Sequence, residues 1–384
     1  LTSATISNAL NVAILGSGMT GAACAEQLVD FGASVTVFEA GRGVGGRMST
    51  RKAEEGFQFD HGAQYISPPK TEDFRITLSA WETNGWIKPW EGEFCTFDVD
   101  RNLKTDAKKE RWVGYPSMST ICEKMMDHKY IRVCLQCRAK AVWKDDKSQW
   151  ELFSTDETEE YLGSFDWLIA TDRNSAAPFR DDLSDASLDD YRTDVSTIQS
   201  VLSLAAMVVL DRPVTTLSMN GILFDNKPYD PSSSLSLGWA ARDSSKPGRK
   251  HDNDERECWV LQTHPEAAES ILNAMDDKDD LDAIRERAQE VLVTDFIRFL
   301  KETANSDEAE IPNVVASFGH RWGAAFPIAG EHFASKKAQT YPSRCFISCG
   351  DYFGTLTGRI EGAYLSGVAA ATKLLAIESI EVPS

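Results

Sequence analysis

The chain carries little positive charge for its size. Its 384 residues contain 40 lysines and arginines against 59 acidic residues, a formal net charge of −19. Because such a surface repels phosphate backbones and anionic lipid, we expect neither nucleic acid nor a membrane as a partner. Long hydrophobic runs are also scarce. The longest, VLSLAAMVVL at 201–210, has ten residues, about half of a membrane-spanning helix, and predicts a buried strand.

Patterns for metal sites and disulfides are equally few. The eight cysteines include a single CxxC, formed by Cys134 and Cys137, and the six histidines form no cluster. No second CxxC completes a zinc site, so we predict no metal. The residues around this pair have the pattern of a strand, on which side chains three apart point to opposite faces. We therefore expect free thiols, as in a reducing compartment.

No signal peptide is visible in the sequence. The chain begins at Leu1 rather than at methionine. We expect a soluble intracellular protein, in the cytoplasm or in an organelle after removal of a targeting peptide. The length is sufficient for one large or two medium domains.

Strand and helix patterns alternate early in the chain and become strand-rich later. A strand at 11–15, a helix at 20–31 and a strand at 33–39 predict a βαβ unit that opens a parallel sheet. Further helices are predicted at 71–86, 113–128, 265–275, 279–303 and 359–376, and further strands at 130–137, 139–144, 149–154, 165–171, 200–210, 220–225, 235–241 and 257–263. The stretches 172–195 and 244–256 have the composition of solvated loops.

A glycine fingerprint follows the first strand. Gly16, Gly18 and Gly21 form G-x-G-x-x-G at the start of a helix, a pattern that allows a tight turn and close approach of a pyrophosphate to the backbone. The helix N-terminus then offers N–H groups to the phosphates. Glu39 ends the second strand, where an acid accepts hydrogen bonds from an adenosine ribose. An acid there disfavours a 2′-phosphate, so NAD or FAD is expected rather than NADP.

A second glycine cluster, GRGVGGRMSTR at 41–51, favours FAD. An ordinary NAD dehydrogenase has no need of a second loop that a ligand approaches closely. With Arg42 and Arg47, this loop suits a ligand that extends past the pyrophosphate to a ribityl chain and an isoalloxazine ring. The alternative is a basic surface loop without a ligand.

These motifs resemble a known family. The run R-x-x-G-G-R after a Rossmann fingerprint resembles the amine-oxidase-like FAD flavoproteins, and GGRMSTR followed by FDHGAQY is most similar to the renalase family. Similar blocks occur at 113–121, 258–266, 319–327 and 349–367, so the resemblance covers essentially the whole chain. It implies an α/β fold with a Rossmann-type FAD-binding domain and a discontinuous substrate domain built on a mainly antiparallel sheet plus helices. The FAD-binding domain would comprise 1–70, 112–175 and 310–384, and the substrate domain 71–111 and 176–309.

The resemblance also implies roles for individual positions. Noncovalent FAD would be held by Gly16, Gly18, Met19, Thr20, Gly21, Glu39, Ala40, Arg42, Gly46, Arg47, Met48, His61, Gly62, Ala63, Gln64, Tyr65, Ala139, Thr171, Gly350, Asp351, Arg359, Ile360, Glu361 and Gly362. The helix beginning near Arg359 would direct its positive end at the flavin, where reduction places negative charge. The catalytic residues would be Gln64, near the flavin ring, and His320 and Trp322, on the substrate side. The alternative for His320 and Trp322 is a position in the core.

Three features depart from the family pattern. Asp172 follows the strand IAT where glycine or proline is usual. Gly323 and Ala324 stand where relatives often have arginine and tyrosine, at positions that face the substrate. The acidic stretch 180–194 is an additional segment with the composition of a solvated surface. The substrate therefore stays open.

The function implied is that of an FAD-dependent oxidoreductase. A small substrate held about 3–3.5 Å from flavin N5 would give up a hydride, and O2 or another acceptor would take the electrons. The sequence contains no second G-x-G-x-x-G, so we expect no separate NADPH-binding domain. A dihydronicotinamide could nevertheless be the substrate itself. Two alternatives stay open: a flavin amine oxidase, for which no lysine at N5 is assigned, and a flavin-bound scaffold without turnover.

Overall fold

The computed structural model describes residues 10–106, 109–176, 182–183, 185, 188–225, 227–249, 255–304, 310–328 and 331–378. The helices are α1 (Met19–Asp30), α2 (Glu72–Thr83), α3 (Ser119–Met125), α4 (Asp189–Ser196), α5 (Pro265–Asn273), α6 (Leu281–Thr303), α7 (Glu331–Ala334) and α8 (Ile360–Ile377). The strands are β1 (Asn11–Leu15), β2 (Ser34–Phe38), β3 (Thr50–Lys52), β4 (Gln58–Asp60), β5 (Ile87–Pro89), β6 (Phe94–Phe97), β7 (Leu103–Thr105), β8 (Trp112–Gly114), β9 (Ile131–Cys134), β10 (Ala139–Lys144), β11 (Gln149–Ser154), β12 (Tyr161–Phe165), β13 (Trp167–Ala170), β14 (Gln199–Leu210), β15 (Gly221–Phe224), β16 (Leu237–Arg242), β17 (Glu257–Thr263), β18 (Val314–Ile328), β19 (Ala338–Tyr341) and β20 (Phe346–Cys349).

A six-stranded sheet with the order β19-β20-β13-β1-β2-β9 is formed by segments from the beginning, middle and end of the chain. Its pairings are parallel except for that of β19 with β20. Along β1, Val12 and Ile14 enter one hydrophobic cluster, whereas Ala13 and Leu15 enter another. Because alternate side chains of a strand point to opposite faces, both faces of this sheet are covered. The predicted Rossmann-type α/β unit is therefore confirmed.

The second large sheet has seven strands in the order β18-β14-β17-β16-β15-β6-β7. All of its pairings are antiparallel except that of β15 with β6. Helix α6 covers one face, where Leu292, Phe296 and Phe299 are fully buried in the same cluster as Trp259. The predicted buried strand at 201–210 lies in β14, near the centre of this sheet. The predicted mainly antiparallel second sheet is confirmed.

Strand β18 connects the two sheets along the chain. It pairs with β14 from Gln199 to Leu210, and so lies in the seven-stranded sheet. The chain therefore leaves the seven-stranded sheet only after residue 328, whereas the predicted domain boundary lies at residue 310. The division into two domains stays a prediction.

Helix α8 is the one helix among the described residues that is long and apolar enough to cross a membrane. It packs against α1 instead. A Cβ atom at Gly367 would lie 2.2 Å from the carbonyl oxygen of Thr20, so only glycine permits this approach. The Thr20 hydroxyl also donates a hydrogen bond to the Ala363 carbonyl at 3.0 Å. These contacts make α8 a core helix.

The predicted helix at 113–128 is wrong in its first half. Residues 112–114 form β8, which pairs with β5, and α3 begins only at Ser119. Pro116 explains the delay, because the residue before a proline is disfavoured in helical conformation. The apolar spacing of 118–126 is helical, and that of 112–114 belongs to a strand.

The predicted strand at 130–137 is wrong beyond Cys134. Strand β9 ends there, residues 135–136 form a turn, and Gln136 has φ +52°. The two cysteines of the CxxC therefore do not lie on opposite faces of one continuous strand. All eight cysteines are free thiols, as predicted.

Two predicted solvated loops are partly buried. Within the acidic stretch, α4 forms at 189–196, and Leu183, Leu188, Tyr191 and Val195 are buried against the six-stranded sheet. In the second loop, Lys246 is buried and carries charge interactions described below. Both predictions failed because charged neighbours dominate the local composition. Residues 177–181, 184, 186–187 and 250–254 lie outside the described part of the chain.

Candidate functional site

The turn between β1 and α1 has the geometry that the glycine fingerprint predicts. Gly16 has φ +102°, a conformation that favours glycine, and its N–H donates to the Phe38 carbonyl at 2.9 Å. A Cβ atom at Gly21 would lie 2.0 Å from the Gly16 carbonyl oxygen. Gly18 is the N-cap of α1 and provides no side chain to the first N–H groups of the helix. The turn therefore leaves backbone donors available to an anion.

The second glycine cluster packs directly on the first. The Gly45 N–H donates to the Ser17 carbonyl at 3.0 Å, and Gly18 and Gly45 form a parallel bridge. Gly46 has φ +54°, and its Cβ would lie 3.4 Å from the Gly18 Cα. Close approach of one glycine loop to the other is therefore a structural reason for the second cluster, in addition to any ligand.

The Glu39 carboxylate lies at the open end of β2 beside this turn. One oxygen accepts from the Ser17 N–H at 3.0 Å and from the Ser17 hydroxyl at 2.6 Å, and the other accepts from the Gly41 N–H at 2.6 Å. Each carboxylate oxygen has two lone pairs, so the group keeps capacity for a further donor. A cleft, here called the nucleotide cleft, is lined by Leu15, Gly16, Phe38, Glu39, Ala40, Cys137, Arg138, Ala139, Asp172, Ser175 and Asp182. The structure thus brings the predicted residues Gly16, Glu39, Ala40 and Ala139 together.

Arg47 connects the second glycine cluster to the C-terminal segment. Its guanidinium forms a bidentate ion pair with Asp351, both N···O distances being 2.6 Å, and also donates to the Ala325 carbonyl at 3.0 Å. The side chain of Arg47 is 39% exposed. Two of the predicted cofactor residues therefore hold each other. Arg42, by contrast, is exposed.

Two helix N-termini lie side by side near these loops. The Thr20 and Ala363 hydrogen bond joins the first turns of α1 and α8, and the N-cap of α8, Arg359, supplies no side-chain cap. Glu361 is buried and accepts hydrogen bonds from the N–H groups of Lys70 and Thr71. It therefore anchors the loop before α2. The paired helix ends contribute positive potential, which suits phosphates or a ring that gains negative charge.

The predicted loop at 61–65 is held from three sides. The Ala63 N–H donates to the Arg47 carbonyl at 2.8 Å. From β17, Gln262 donates to the Gly62 carbonyl at 2.7 Å, and from β18 the Trp322 indole donates to the His61 carbonyl at 3.0 Å. A rigid loop thus lies between the glycine loops and the seven-stranded sheet.

Three side chains, here called the aromatic wall, meet beside this loop. The ring centroids of His61, His320 and Trp322 lie 4.6, 5.0 and 4.4 Å apart in the three pairs. His61 is 6% exposed, and its Nδ1 has no hydrogen-bond partner among the described residues. The structure therefore joins the two predicted substrate-side residues to a third.

Both histidines of the aromatic wall are neutral at physiological pH. Burial lowers the pKa of His61 to about 4, although the Phe59 backbone and Asp60 oppose this shift. Burial, followed by His61, Arg285 and Arg51, lowers the pKa of His320 to about 3. A neutral imidazole has one donor and one acceptor nitrogen, so the wall presents polar but uncharged groups.

The sequence did not reveal a group of four buried charges, here called the ion cluster, formed by Asp60, Asp243, Lys246 and Arg249. The Lys246 ammonium lies 3.1 Å from Asp60 and 2.8 Å from Asp243, and Arg249 pairs with both carboxylates. Burial raises the pKa of Asp60, but Arg249 and Lys246 outweigh it and lower that pKa to about 2. The cluster joins β4 to the segment after β16.

The ion cluster also supports Gln64. The Lys246 ammonium donates to the Gln64 side-chain oxygen at 3.4 Å, and the Gln64 amide donates to the Asp60 carbonyl and to the Gly62 carbonyl. Its predicted catalytic role near the flavin stays a prediction, because these contacts hold it within the protein. The sequence signal was the Asp60 directly before the HGAQY motif; its partners lie about 185 positions later in the chain.

Tyr65 belongs to a second aromatic group, with Trp239 and Trp90. The centroid of the Tyr65 ring is 5.8 Å from that of Trp239 and 6.3 Å from that of Trp90. The Trp239 indole N–H is buried and has no partner among the described residues. Buried donors are usually paired, so the Trp239 N–H keeps its capacity for one hydrogen bond.

Comparisons with known proteins agree with this architecture. Residues 14–77 match the family described as NAD(P)-binding Rossmann-like domain. The 4,4′-diapophytoene desaturase (4,4′-diaponeurosporene-forming) of Staphylococcus aureus strain Newman is 40% identical over 60 residues, which are 16% of this chain and 12% of that protein. The sequence match to these curated relatives is thus confined to a small part of both chains.

Solved structures match over nearly the full length. A candidate protoporphyrinogen oxidase from an Exiguobacterium species has a TM-score of 0.67 at 11% identity and covers 97% of this chain and 99% of its own. Cyclohexylamine oxidase from Brevibacterium oxydans has 0.66 at 12% identity, covering 97% and 100%. Putrescine oxidase bound to putrescine has 0.63 at 14% identity, covering 96% and 100%. At such identities these likenesses establish the fold.

Proposed function

We propose that the protein is an FAD-dependent oxidoreductase that takes a hydride from a small reduced substrate. The observation that carries this proposal is the continuity of the site. The nucleotide cleft, the Arg47–Asp351 pair, the two helix N-termini and the loop at 61–65 follow one another and end at the aromatic wall. Such a sequence of contacts suits a long ligand with a nucleotide at one end and a planar ring at the other.

The described residues fit noncovalent FAD. Glycines occupy the positions where a Cβ atom would fill the turn, as at Gly16, whose Cβ would lie 2.5 Å from the Thr171 hydroxyl. Glu39 would hold the ribose, and the N-terminus of α1 and Arg47 the pyrophosphate. The unpaired nitrogen of His61 provides a polar contact near the ring end. When bound, FAD supplies a two-electron acceptor, with O2 or another compound as the final acceptor.

The protein's contribution to catalysis would be positioning. His320 would form a hydrogen bond with a substrate carbonyl or amide, and Trp322 would stack on a planar ring while its N–H holds the His61 carbonyl. The seven-stranded sheet would exclude water from that side. Gln64, held by Lys246, would keep the loop in place.

The electrostatics of the aromatic wall favour an uncharged planar substrate, such as a dihydronicotinamide, over a protonated amine. The three ring side chains carry no charge, and Arg51 and Arg285 are near enough to lower the pKa of His320. A cationic amine beside His320 would be repelled by these two arginines, whereas Asp60 and Asp243 act in the opposite sense at His61. This argument supports the renalase-like reading, which stays a proposal, as does a soluble intracellular location.

A flavin amine oxidase is the second candidate. It is favoured by the fold similarity to cyclohexylamine oxidase and putrescine oxidase. The two candidates differ in the substrate that they oxidise, so one panel of substrates separates them.

The test is an anaerobic one. Purified protein should be yellow and should release free FAD when it is denatured. Mixing under argon with dihydronicotinamides and, separately, with primary amines should bleach the flavin with the former only. Colourless protein that does not take up added FAD would refute the proposal. Bleaching by amines alone would favour the second candidate, and a flavin that no member of the panel bleaches would favour a scaffold.

A further inference from the structure

The CxxC at the edge of the nucleotide cleft has an unusual backbone. The Glu39 N–H donates to the Cys134 carbonyl at 2.9 Å, and the Cys137 N–H donates to the Glu39 carbonyl at 2.9 Å. In a regular parallel pairing, one residue bonds to residues two apart on its neighbour. Here the two partners are three apart, so the chain contains one extra residue, which is the definition of a bulge.

This bulge brings the two cysteines onto one side of the strand. The turn at residues 135–136 interrupts the regular alternation of the strand, so the contacts of the two side chains, and not their spacing, decide which side they face. Both side chains are half-buried and pack against the same hydrophobic cluster. In a four-residue turn the first and last Cα atoms lie within about 7 Å, near the upper limit of about 6.8 Å for a disulfide.

We propose that Cys134 and Cys137 are a redox-active dithiol that a small disulfide oxidises reversibly. One thiolate attacks a sulfur of the small disulfide, forming a mixed disulfide and releasing one thiol. The second cysteine then attacks the protein sulfur of the mixed disulfide and releases the other thiol. Two protein thiols and one small disulfide thus give one protein disulfide and two small thiols.

The pH dependence of this oxidation follows from the surroundings of Cys137. Burial, followed by the neighbouring Cys134, Asp156 and Glu160, raises the pKa of its thiol, while Arg132 opposes the shift. Since the thiolate is the attacking form, oxidation proceeds faster as the pH rises above neutrality.

The dithiol is coupled to the nucleotide cleft through the backbone. Cys137 lines the cleft beside Glu39 and Ala139, and the Gln136 N–H donates to the Gly41 carbonyl at 2.9 Å. Closing the disulfide tightens the turn and pulls on the strand end that positions the Glu39 carboxylate. We therefore expect the oxidised protein to retain FAD less well, by about fivefold or more. This expectation rests on the proposed function.

The test uses the full-length protein with glutathione disulfide as the probe at about pH 8.5. After alkylation and digestion, mass spectrometry should find an internal Cys134–Cys137 disulfide in protein with an unchanged circular dichroism spectrum. Cys137→Ser should instead keep a glutathione adduct on Cys134. Cys345→Ser is the matched control, because Cys345 is also half-buried, and it should form the disulfide like the unmodified chain.

Two results would overturn the dithiol. These are the absence of any internal disulfide in the folded protein, and a glutathione adduct on either cysteine that the other does not displace. Flavin retention is measured separately on the oxidised and reduced forms. Equal retention overturns the coupling to the cleft. If neither form binds FAD while the disulfide still forms, the proposed function fails and the dithiol stands.

Discussion

The nucleotide cleft and the aromatic wall are built by different means. Around the glycine turn, the contacts join backbone groups and residues close in sequence, as when Glu39 binds Ser17 and Gly41. At the aromatic wall, His61 meets His320 and Trp322, about 260 positions away. The first region depends on backbone conformation that few residues permit. The second depends on pairing between distant strands and on buried charge.

The strongest test of this difference is to remove a charge from the ion cluster. Asp243→Ala leaves Lys246 and Arg249 short of a partner inside the protein. The free energy of unfolding should fall by roughly 3–5 kcal/mol, because breaking a buried ion pair leaves an uncompensated charge. Urea denaturation measures this decrease in the free energy of unfolding.

The matched control for this change is Asp282→Ala, which removes an exposed pair with Arg285. It should change stability by about 1 kcal/mol or less. Equal effects of the two substitutions would mean that the ion cluster contributes no more than a surface pair, and that the wall does not depend on it.

At the nucleotide end, Glu39→Gln should weaken FAD binding. The substitution replaces a charged acceptor by a neutral one, and hydrogen bonds to charged groups contribute about 1.5–3 kcal/mol, so affinity should fall roughly 10- to 150-fold. Ser17→Ala keeps the carboxylate and removes one of its donors, and should have a smaller effect. Equilibrium dialysis with FAD measures both. Unchanged affinity in Glu39→Gln would mean that the carboxylate only stabilises its own turn.

At the wall, His320→Ala and Trp322→Ala should slow anaerobic flavin reduction by about tenfold each, the scale of one aromatic or hydrogen-bond contact. FAD content should be largely kept, since neither side chain lines the nucleotide cleft and the loop at 61–65 keeps its hydrogen bonds to Arg47 and Gln262 when Trp322 is removed. Stopped-flow absorbance measures the rate. Trp322→Phe separates stacking from the hydrogen bond to the His61 carbonyl, because it keeps a ring and loses the N–H. If both alanine variants reduce the flavin as fast as the original protein does, His320 and Trp322 are core residues and do not contact the substrate.

The last prediction concerns the pH dependence of stability. Because His61 stays neutral in the folded protein down to about pH 4, the unfolded chain takes up its proton first, near the ordinary histidine value of about 6.5. Stability should therefore fall as the pH decreases from about 6.5 to about 4, and His61→Gln should lessen that fall. The Asp60 pKa of about 2 places its own loss of stability lower, between about pH 4 and 2. Urea midpoints measured at each pH distinguish the two windows.

The sequence could predict the parts whose geometry is local. A turn that needs φ +102° at Gly16 and a helix that approaches the Gly16 carbonyl at Gly21 restrict both positions to glycine, whatever the rest of the chain does. The acid at the end of β2 and the run of apolar residues in β14 could also be identified from the sequence, because both are local patterns. The family resemblance added His320 and Trp322, which the pattern of residues alone would not separate from core positions.

Only the tertiary structure decided which charges are buried and which side chains meet. Lys246 and Arg249 stand in a polar stretch that reads as solvent-exposed, and they are buried because Asp60, about 185 positions earlier, supplies the countercharge. Cys134 and Cys137 pack against the same hydrophobic cluster, and the backbone between them departs from a regular strand because Glu39 hydrogen-bonds to backbone groups three residues apart. Burial and register depend on partners distant in sequence, and a local pattern contains no information about which partner will be there.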